Sequence, residues 1–262
     1  ISGYSYVAVV AGNLYGNIEN CHVSNSHVTC TYWMAGAMSG QYNAGNVTNC
    51  SVTNTTITGP AAVGALIGNI NETAGERKVE NCTVTGCTVA QNGSFGGDYD
   101  KMFGTAVGLV NIENSKVYIN GCKVENTTVK GVTSANIFGL SSDNTTIYVD
   151  DYTYTPDGVI KDKNGNLIVN SLESLEAALE TAGAAGAGDT TIIFAENAQL
   201  NMTGAEWTPI KVDGYNGADI VTIDGKGHTI KGLTSSLFAG GFAGGSGIVI
   251  KNLTIADSKM VG

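Results

Sequence analysis

Apolar and polar positions alternate in short bursts along most of this chain, and the bursts recur. Four segments align without gaps: "IENCHVSNSHVTC" from Ile18, "VTNCSVTNTTITG" from Val47, "VENCTVTGCTVAQ" from Val79 and "INGCKVENTTVKG" from Ile119. A fifth, "IKNLTIADSKMVG" from Ile250, follows the same pattern. A second pattern of small residues lies between them, as "AGAMSG" from Ala35, "VGALIG" from Val63 and "FGTAVG" from Phe103, with looser forms in "VAVVAG" and "FAGGFAGG". Each repeat therefore holds at least three short strands. The aligned Cys residues are 29, 32 and 40 residues apart. Those steps are too irregular for a helical repeat, and the apolar runs are too short for amphipathic helices.

A repeat of this kind cannot bury its inward face alone, so repeats must stack about 4.8 Å apart with equivalent residues in columns. The fold class this predicts is all-β: a right-handed parallel β-helix, or β-solenoid, with one repeat per coil and variable loops. Asn20, Asn49, Asn81 and Asn252 form one ladder at a corner, with Gly121 in the same column because glycine takes a left-handed backbone as easily. Asn25, Asn54 and Asn126 form another, joined by Gly86 and Asp257. Cys21, Cys50, Cys82 and Cys122 make an inward column of thiols used as small hydrophobes rather than as disulfides. Cys30 and Cys87 fall outside that column, and a bond between those two stays open.

The pattern stops after "TTIYVD". An Asn164-Gly165 pair between "VIKD" and "NLIV" predicts a hairpin. "DKNGN" resembles the opening of a calcium loop, but the sixth position, which requires Gly, is Leu167, so no metal is expected there. "SLESLEAALETAG" is the one convincing helix: Ser171 caps it, Leu172, Leu175, Leu179 and Ala182 form its apolar stripe, and Gly183 ends it. Such a helix is most simply a cap over the open end of a solenoid core. Strand alternation then resumes in "TTIIFAENAQLNMTG" and "IVTIDGKGHTIKGL". The predicted organisation is about five solenoid coils over 1–150, a linker hairpin over 151–170, and a capping helix with the first coils of a second solenoid over 171–262.

Composition adds constraints. With 36 Gly, 3 Pro and no collagen period, glycine marks turns. The net charge of -10 argues against nucleic acid or an anionic membrane as partner. No apolar run is long enough for membrane insertion, and the first 30 residues lack the charged and apolar regions of a signal peptide. Because it begins with Ile, the chain is expected to be a processed product or a piece of something longer.

Candidate chemistry is sparse. Glycoside hydrolysis needs two carboxylates about 5 to 9 Å apart on one face. Asp98 and Asp100 in "GSFGGDYDK" are the nearest approach, on an insertion in the longest repeat, and read as solvated loop residues. Asp150 and Asp151 sit at the break, Asp224 precedes a tight turn, His22 and His27 alternate outward, and His228 lies in a turn, so no metal triad is visible. No cofactor is expected and the chain is read as non-enzymatic. A polysaccharide lyase or hydrolase is the remote alternative, since parallel β-helices host both. Tyr4, Tyr6, Tyr15, Tyr32, Trp33 and Tyr42 concentrate in the first two coils, and Tyr32, Trp33 and Tyr42 are candidates for stacking on sugar rings.

From Glu206 onward, "EWTPI", "VTIDGKGHTIKGL", "SLFAGGFAGG" and "IVIKNLTIADSKMVG" resemble, in order, the start of exported bacterial β-helix proteins that carry the GLUG motif. "AGAMSG" and "VGALIG", each followed by an Asn-Cys segment, are similar to that family's later coils, and the resemblance covers most of the chain except the hairpin. It implies an extracellular or surface-attached bacterial protein in an adhesive or structural role. In that family the helix and the Trp-Thr-Pro-Ile region come first, whereas here the order is reversed. Joining Gly262 to Ile1 restores the order and spaces Leu253 from Cys21 by 30 residues, close to the repeat step.

The two ends thus read as sides of one cut solenoid. Ile248, Ile250, Leu253 and Ile255 would form one assembly face, with Tyr6, Ala8 and Val10 of the next copy as its partner. Open strand edges recruit strands, and a head-to-tail contact that does not close yields a filament. The expected function is a non-enzymatic structural subunit of an extracellular fibre or surface array, with itself as partner. The alternative is a repeat segment of a surface adhesin or glycan-binding protein, whose partner is a glycan or a host surface.

Overall fold

The computed structural model describes residues 1–71, 75–112, 115–133, 137–141, 145–155, 158–184, 188–196, 198, 200–204, 207–211, 220–239 and 247–259. Glu206, most of the Gly-rich stretch after Ala239, and residues 260–262 lie outside the described residues. The chain is mostly β, with parallel sheets and one α-helix among the described residues. It divides into two compact units, Ile1–Asp150 and Asp151–Gly262. No helix among the described residues is long and apolar enough to cross a membrane.

In the first unit the parallel strands find their partners one repeat away rather than next in sequence; Thr128–Val129 and Val132–Thr133, which pair antiparallel with each other, are the exception. His22–Ser24, Ser51–Thr53, Thr83–Thr85 and Lys123–Glu125 lie side by side in parallel, with Val23, Val52, Val84 and Val124 at equivalent positions. One corner earlier, Ile18, Val47, Val79, Ile119 and Val149 form a second column, buried throughout. One corner later, Val28, Ile57 and Val89 form a third, buried likewise. These strands are short because each contributes one inward aliphatic residue before the chain turns.

The turns are made by single residues with left-handed backbone. Asn20, Asn49, Asn81 and Asn252 have φ of 53, 54, 53 and 53°, and Asn25, Asn54 and Asn126 have 48, 46 and 48°. Asparagine tolerates this conformation better than other side chains. Gly121 (φ 63°) and Gly86 (φ 65°) occupy equivalent positions in other repeats. Each corner is also paired: the N–H groups of Asn20, Asn49 and Asn81 donate to Thr48 O, Glu80 O and Asn120 O at 3.1, 3.0 and 2.8 Å.

The residue after the first corner is cysteine. The Cys50 thiol donates to Thr48 O (3.2 Å) and Ile18 O (3.6 Å), and Cys82 to Glu80 O (3.4 Å) and Val47 O (3.7 Å). The column therefore fills the corner and gives backbone carbonyls a weak donor. Burial pushes the Cys50 thiol up to about 11.

All six cysteines are free, so the open possibility of a Cys30–Cys87 bond is corrected. The reason is register. Val28 and Val89 stand at the same level, so Cys30 lies two residues beyond that level and Cys87 two residues before it, in strands separated by an intervening one. At about 3.3 Å per residue, that separation exceeds the roughly 7 Å between Cα atoms that a disulfide can bridge.

The small-residue segments form a further parallel sheet of Ala11–Leu14, Ser39–Tyr42, Ile67–Ile70, Val107–Val110 and Phe138–Ser141. Close backbone approach explains the glycines. A Cβ on Gly68 would sit 2.6 Å from Ala35 N and 2.9 Å from Ala62 O, closer than real atoms pack.

In the second unit, Tyr152–Tyr154, Ile160–Asp162 and Leu167–Val169 pair antiparallel in sequence, with Gly165 (φ 81°) in the second turn. Leu167–Val169, Thr190–Phe194, Ile220–Asp224 and Gly247–Lys251 then pair in parallel, placing Leu167, Ile192, Ile223 and Ile250 in one column. Thr229–Lys231 pairs with Thr254–Ala256. The helix Leu172–Gly183 starts in a capping box, with Ser174 N donating to Ser171 Oγ (3.2 Å) and Ser171 N to Ser174 Oγ (3.0 Å). Its Leu175, Leu179 and Ala182 join Val169, Ile192, Phe194, Val221 and Ile230 in the unit's core.

Two outcomes are expected. Asn49→Gly should leave stability nearly unchanged whereas Asn49→Ala should cost about 1 to 2 kcal/mol by chemical denaturation, because only the second must strain a Cβ at φ 54°. Ellman's reagent at mildly alkaline pH should titrate at most the two part-buried thiols, Cys21 and Cys122, in the native chain and all six after unfolding.

Candidate functional site: open strand edges and an exposed aromatic cluster

Two features stand out from the folded scaffold. The first is a pair of strand edges. Ser2–Val7, Ala11–Leu14, Ile18–Glu19 and His22–Ser24 each hydrogen-bond on one side only among the described residues. Gly247–Lys251 and Thr254–Ala256 do the same in the second unit. Ile250 continues the column of Ile192 and Ile223, yet it is 50% exposed where Ile223 is 2%. Ile255 pairs with the fully buried Ile230 and is 49% exposed. Both side chains point where a further repeat would bury them.

The backbone at the two edges is alike. Asn252 and Asp257 have φ of 53 and 52°, against 53 and 48° at Asn20 and Asn25. By these corners Ile250 is equivalent to Ile18, Leu253 to Cys21 and Ile255 to Val23. The edges differ in covering, since Ile18 and Val23 are buried. Among the sequence-derived assembly residues, Ile248 and Leu253 are half-buried against the core of the second unit, Tyr6 and Val10 are exposed, and Ala8 is half-buried. The inward residue of that first strand is Val7. Sequence reasoning missed Ile18 and Val23 as register equivalents, although the alignment of "IENCHV" with "IKNLTI" carries that signal.

Asp224 braces the second edge. It accepts hydrogen bonds from Asn252 Nδ2 (3.0 Å) and Lys226 N (3.1 Å), with Lys226 Nζ at 3.4 Å and Lys251 Nζ at 3.6 Å. The Asn252 amide above all, with the Lys226 N–H, pulls its carboxyl down to about 2. Both lysines are exposed, so solvent screens their share.

The second feature is a group of aromatic rings. Tyr4 and Tyr32 stack face to face with centroids 4.7 Å apart and planes 2° from parallel. Phe95 meets Tyr32 edge-on at 5.7 Å and Trp33 at 6.1 Å, and Tyr99 meets Trp33 at 5.5 Å and Phe95 at 5.6 Å. Tyr4, Tyr32, Phe95 and Tyr99 are exposed. The structure thus brings together two of the sequence-derived candidates, Tyr32 and Trp33, and adds Phe95 and Tyr99 from the inserted loop.

Tyr42 is corrected. It is fully buried, its hydroxyl donates to Gly45 O, and burial pushes it up to about 12, so it cannot stack on a ligand. The signal was available: "AGNL", "SGQY", "IGNI" and "VGLV" align Tyr42 with Leu14, Ile70 and Val110, an inward column.

The acidic loop residues serve structure. Asp98 pairs with Lys101 at 3.2 Å. Asp100 accepts from Ser94 Oγ (2.7 Å) and Gln91 Nε2 (2.6 Å), and these bonds lower its carboxyl below the usual range, the opposite of what a general acid needs. His22 is exposed and bonded to Ser51 Oγ at 2.7 Å. No group of three or more His, Cys, Asp or Glu residues able to hold a metal ion occurs among the described residues.

Compared with protein families, curated proteins and solved structures, the chain matches none.

A carboxylate lowered by folding stabilises the native state above its unfolded value and loses that contribution as pH falls through its folded one. The Asp224 contribution should therefore be intact above about pH 4 and disappear on approach to about 2. Melting temperatures from pH 6 to pH 2 should fall less steeply below pH 4 for Asp224→Asn than for the wild type, with the variant less stable at pH 6.

Proposed function

We propose that the chain is a non-enzymatic structural subunit of an extracellular fibre or surface array. In this reading its stacked repeats form a right-handed parallel β-helix, and the last repeats of one copy continue into the first repeats of the next. The observation that carries it is the equivalence of the two open edges: the same left-handed corners at Asn20 and Asn252 and at Asn25 and Asp257, with one-sided strands on each. Ile250 and Ile255 are the surface that such a junction would cover. Right-handed crossovers are the rule for parallel strands, which supports the handedness.

The junction is heterologous, because the face offered by one copy differs from the face that receives it. Contacts of that type propagate unless rotation closes them into a ring. The resemblance to GLUG-motif β-helix proteins supports export and a surface location.

Negative-stain images and sedimentation should show fibres whose length grows with protein concentration. Covering a half-exposed isoleucine contributes about 1 kcal/mol, so Ile250→Lys and Ile255→Lys should each weaken association at least about fivefold while leaving the far-ultraviolet circular dichroism unchanged. Monodisperse single particles over the whole soluble range would overturn the proposal, as would fibres indifferent to both substitutions.

A further inference from the structure

The aromatic cluster reaches the edge strand Ser2–Val7 through Tyr4, but its inserted rings, Phe95 and Tyr99, lie outside the strand edges, and its construction is unusual. The longest repeat step, between Cys82 and Cys122, contains an inserted segment, 92–102, in which no residue is buried. The insertion nevertheless presents two large rings, Phe95 and Tyr99, which add nothing to either core. Exposed apolar groups gathered in one place mark a binding surface more often than scattered ones do.

The segment is held in place. Asp100 ties Gln91 and Ser94 together, Gly96 N donates to Ser94 Oγ at 2.9 Å, and Lys130 Nζ donates to Asp100 O at 3.2 Å. Asn92 Nδ2 donates to Cys30 O at 2.9 Å, joining the insertion to the strand that carries Tyr32 and Trp33. A surface arranged before its ligand arrives loses less entropy on binding.

The chemistry of the patch selects its occupant. Its members are all rings, three of them with phenolic hydroxyls. Aromatic faces suit the C–H face of a pyranose, and the hydroxyls at their edges suit its O–H groups. The nearby charges balance: Asp98 pairs with Lys101, and the Asp100 carboxylate, held by two neutral donors, lies in the field of the Lys130 ammonium. No net charge is left to attract an ionic ligand. We infer that Tyr4, Tyr32, Trp33, Phe95 and Tyr99 form a stacking platform for neutral polysaccharide.

Affinity electrophoresis of the whole chain through native gels containing galactomannan or hydroxyethyl cellulose tests this, with alginate as the anionic control. The wild type should be retarded by a neutral polymer and not by alginate. Tyr99→Ala and Phe95→Ala, both exposed on the insertion, should weaken retention at least about tenfold with unchanged melting temperature, and Tyr99→Trp should restore it. Equal mobility of wild type and variants in every neutral gel would overturn the inference. So would retention by alginate alone. Loss of self-association in Tyr99→Ala without any effect on polysaccharide would also overturn it, by assigning the rings to a protein interface. Because neither ring belongs to the strand edges, failure here leaves the fibre reading intact, and failure of the fibre reading leaves this one intact.

Discussion

The constraint on which the first unit depends is in-register parallel pairing between equivalent residues of successive repeats, and the left-handed corners enforce it. In each repeat the two corners are five residues apart, at Asn20 and Asn25, Asn49 and Asn54, Asn81 and Gly86, and Gly121 and Asn126. Between them sits a three-residue strand with one inward valine. Side chains alternate with period two, so a slip of one residue would turn every valine outward. A corner is a position where few residue types are comfortable, which makes such a slip expensive. The spacing between corners stays fixed while the repeat step varies from 29 to 40 residues. All the variation is absorbed outside the corner pair.

That division of labour explains where functional surface can appear. A segment inserted between corners would destroy the register, but one inserted after Gln91, beyond the second corner, costs only loop entropy, which grows slowly with length. The aromatic insertion uses that tolerance. The thiol column lies at the opposite extreme: it sits directly after a corner, where in the first unit a small side chain able to donate weakly to a carbonyl suits the space.

Legibility in the sequence follows the same physics. The corners can be read because left-handed backbone restricts residue choice, and the inward columns because valine and isoleucine recur at a fixed distance from them. The mostly β character with parallel pairing was legible for that reason. Tyr42 was not, because a tyrosine serves equally as core or as surface, and only its alignment with Leu14 and Ile70 separates the two. Phe95 and Tyr99 had no counterpart in any other repeat, so no column could place them; contact with Trp33 is a tertiary fact. The Cys30–Cys87 pairing arose from counting thiols left over, which carries no distance, whereas strand register carries one. The backbone contacts around Gly68 were likewise invisible, although the recurring glycine hinted at them.

Edge composition supplies the last step. Proteins that must keep strand edges apart place lysine, proline or a bulge on them. Across Ser2–Val7, Ala11–Leu14, Ile18–Glu19 and His22–Ser24 there is no Lys, Arg or Pro, the one acidic side chain is Glu19, and the first Lys or Arg of the chain is Arg77; the one irregularity is a register shift between Gly3 and Ser5. At the other edge, Lys251 is the charge that could repel an incoming strand, but its ammonium lies 3.6 Å from the carboxylate of Asp224, which also fixes the Asn252 corner. The lysine is thereby partly neutralised within the edge it might have guarded. Two edges with matching corners, one without Lys, Arg or Pro and the other with its lysine drawn inward, lack the charges that would oppose the proposed head-to-tail junction.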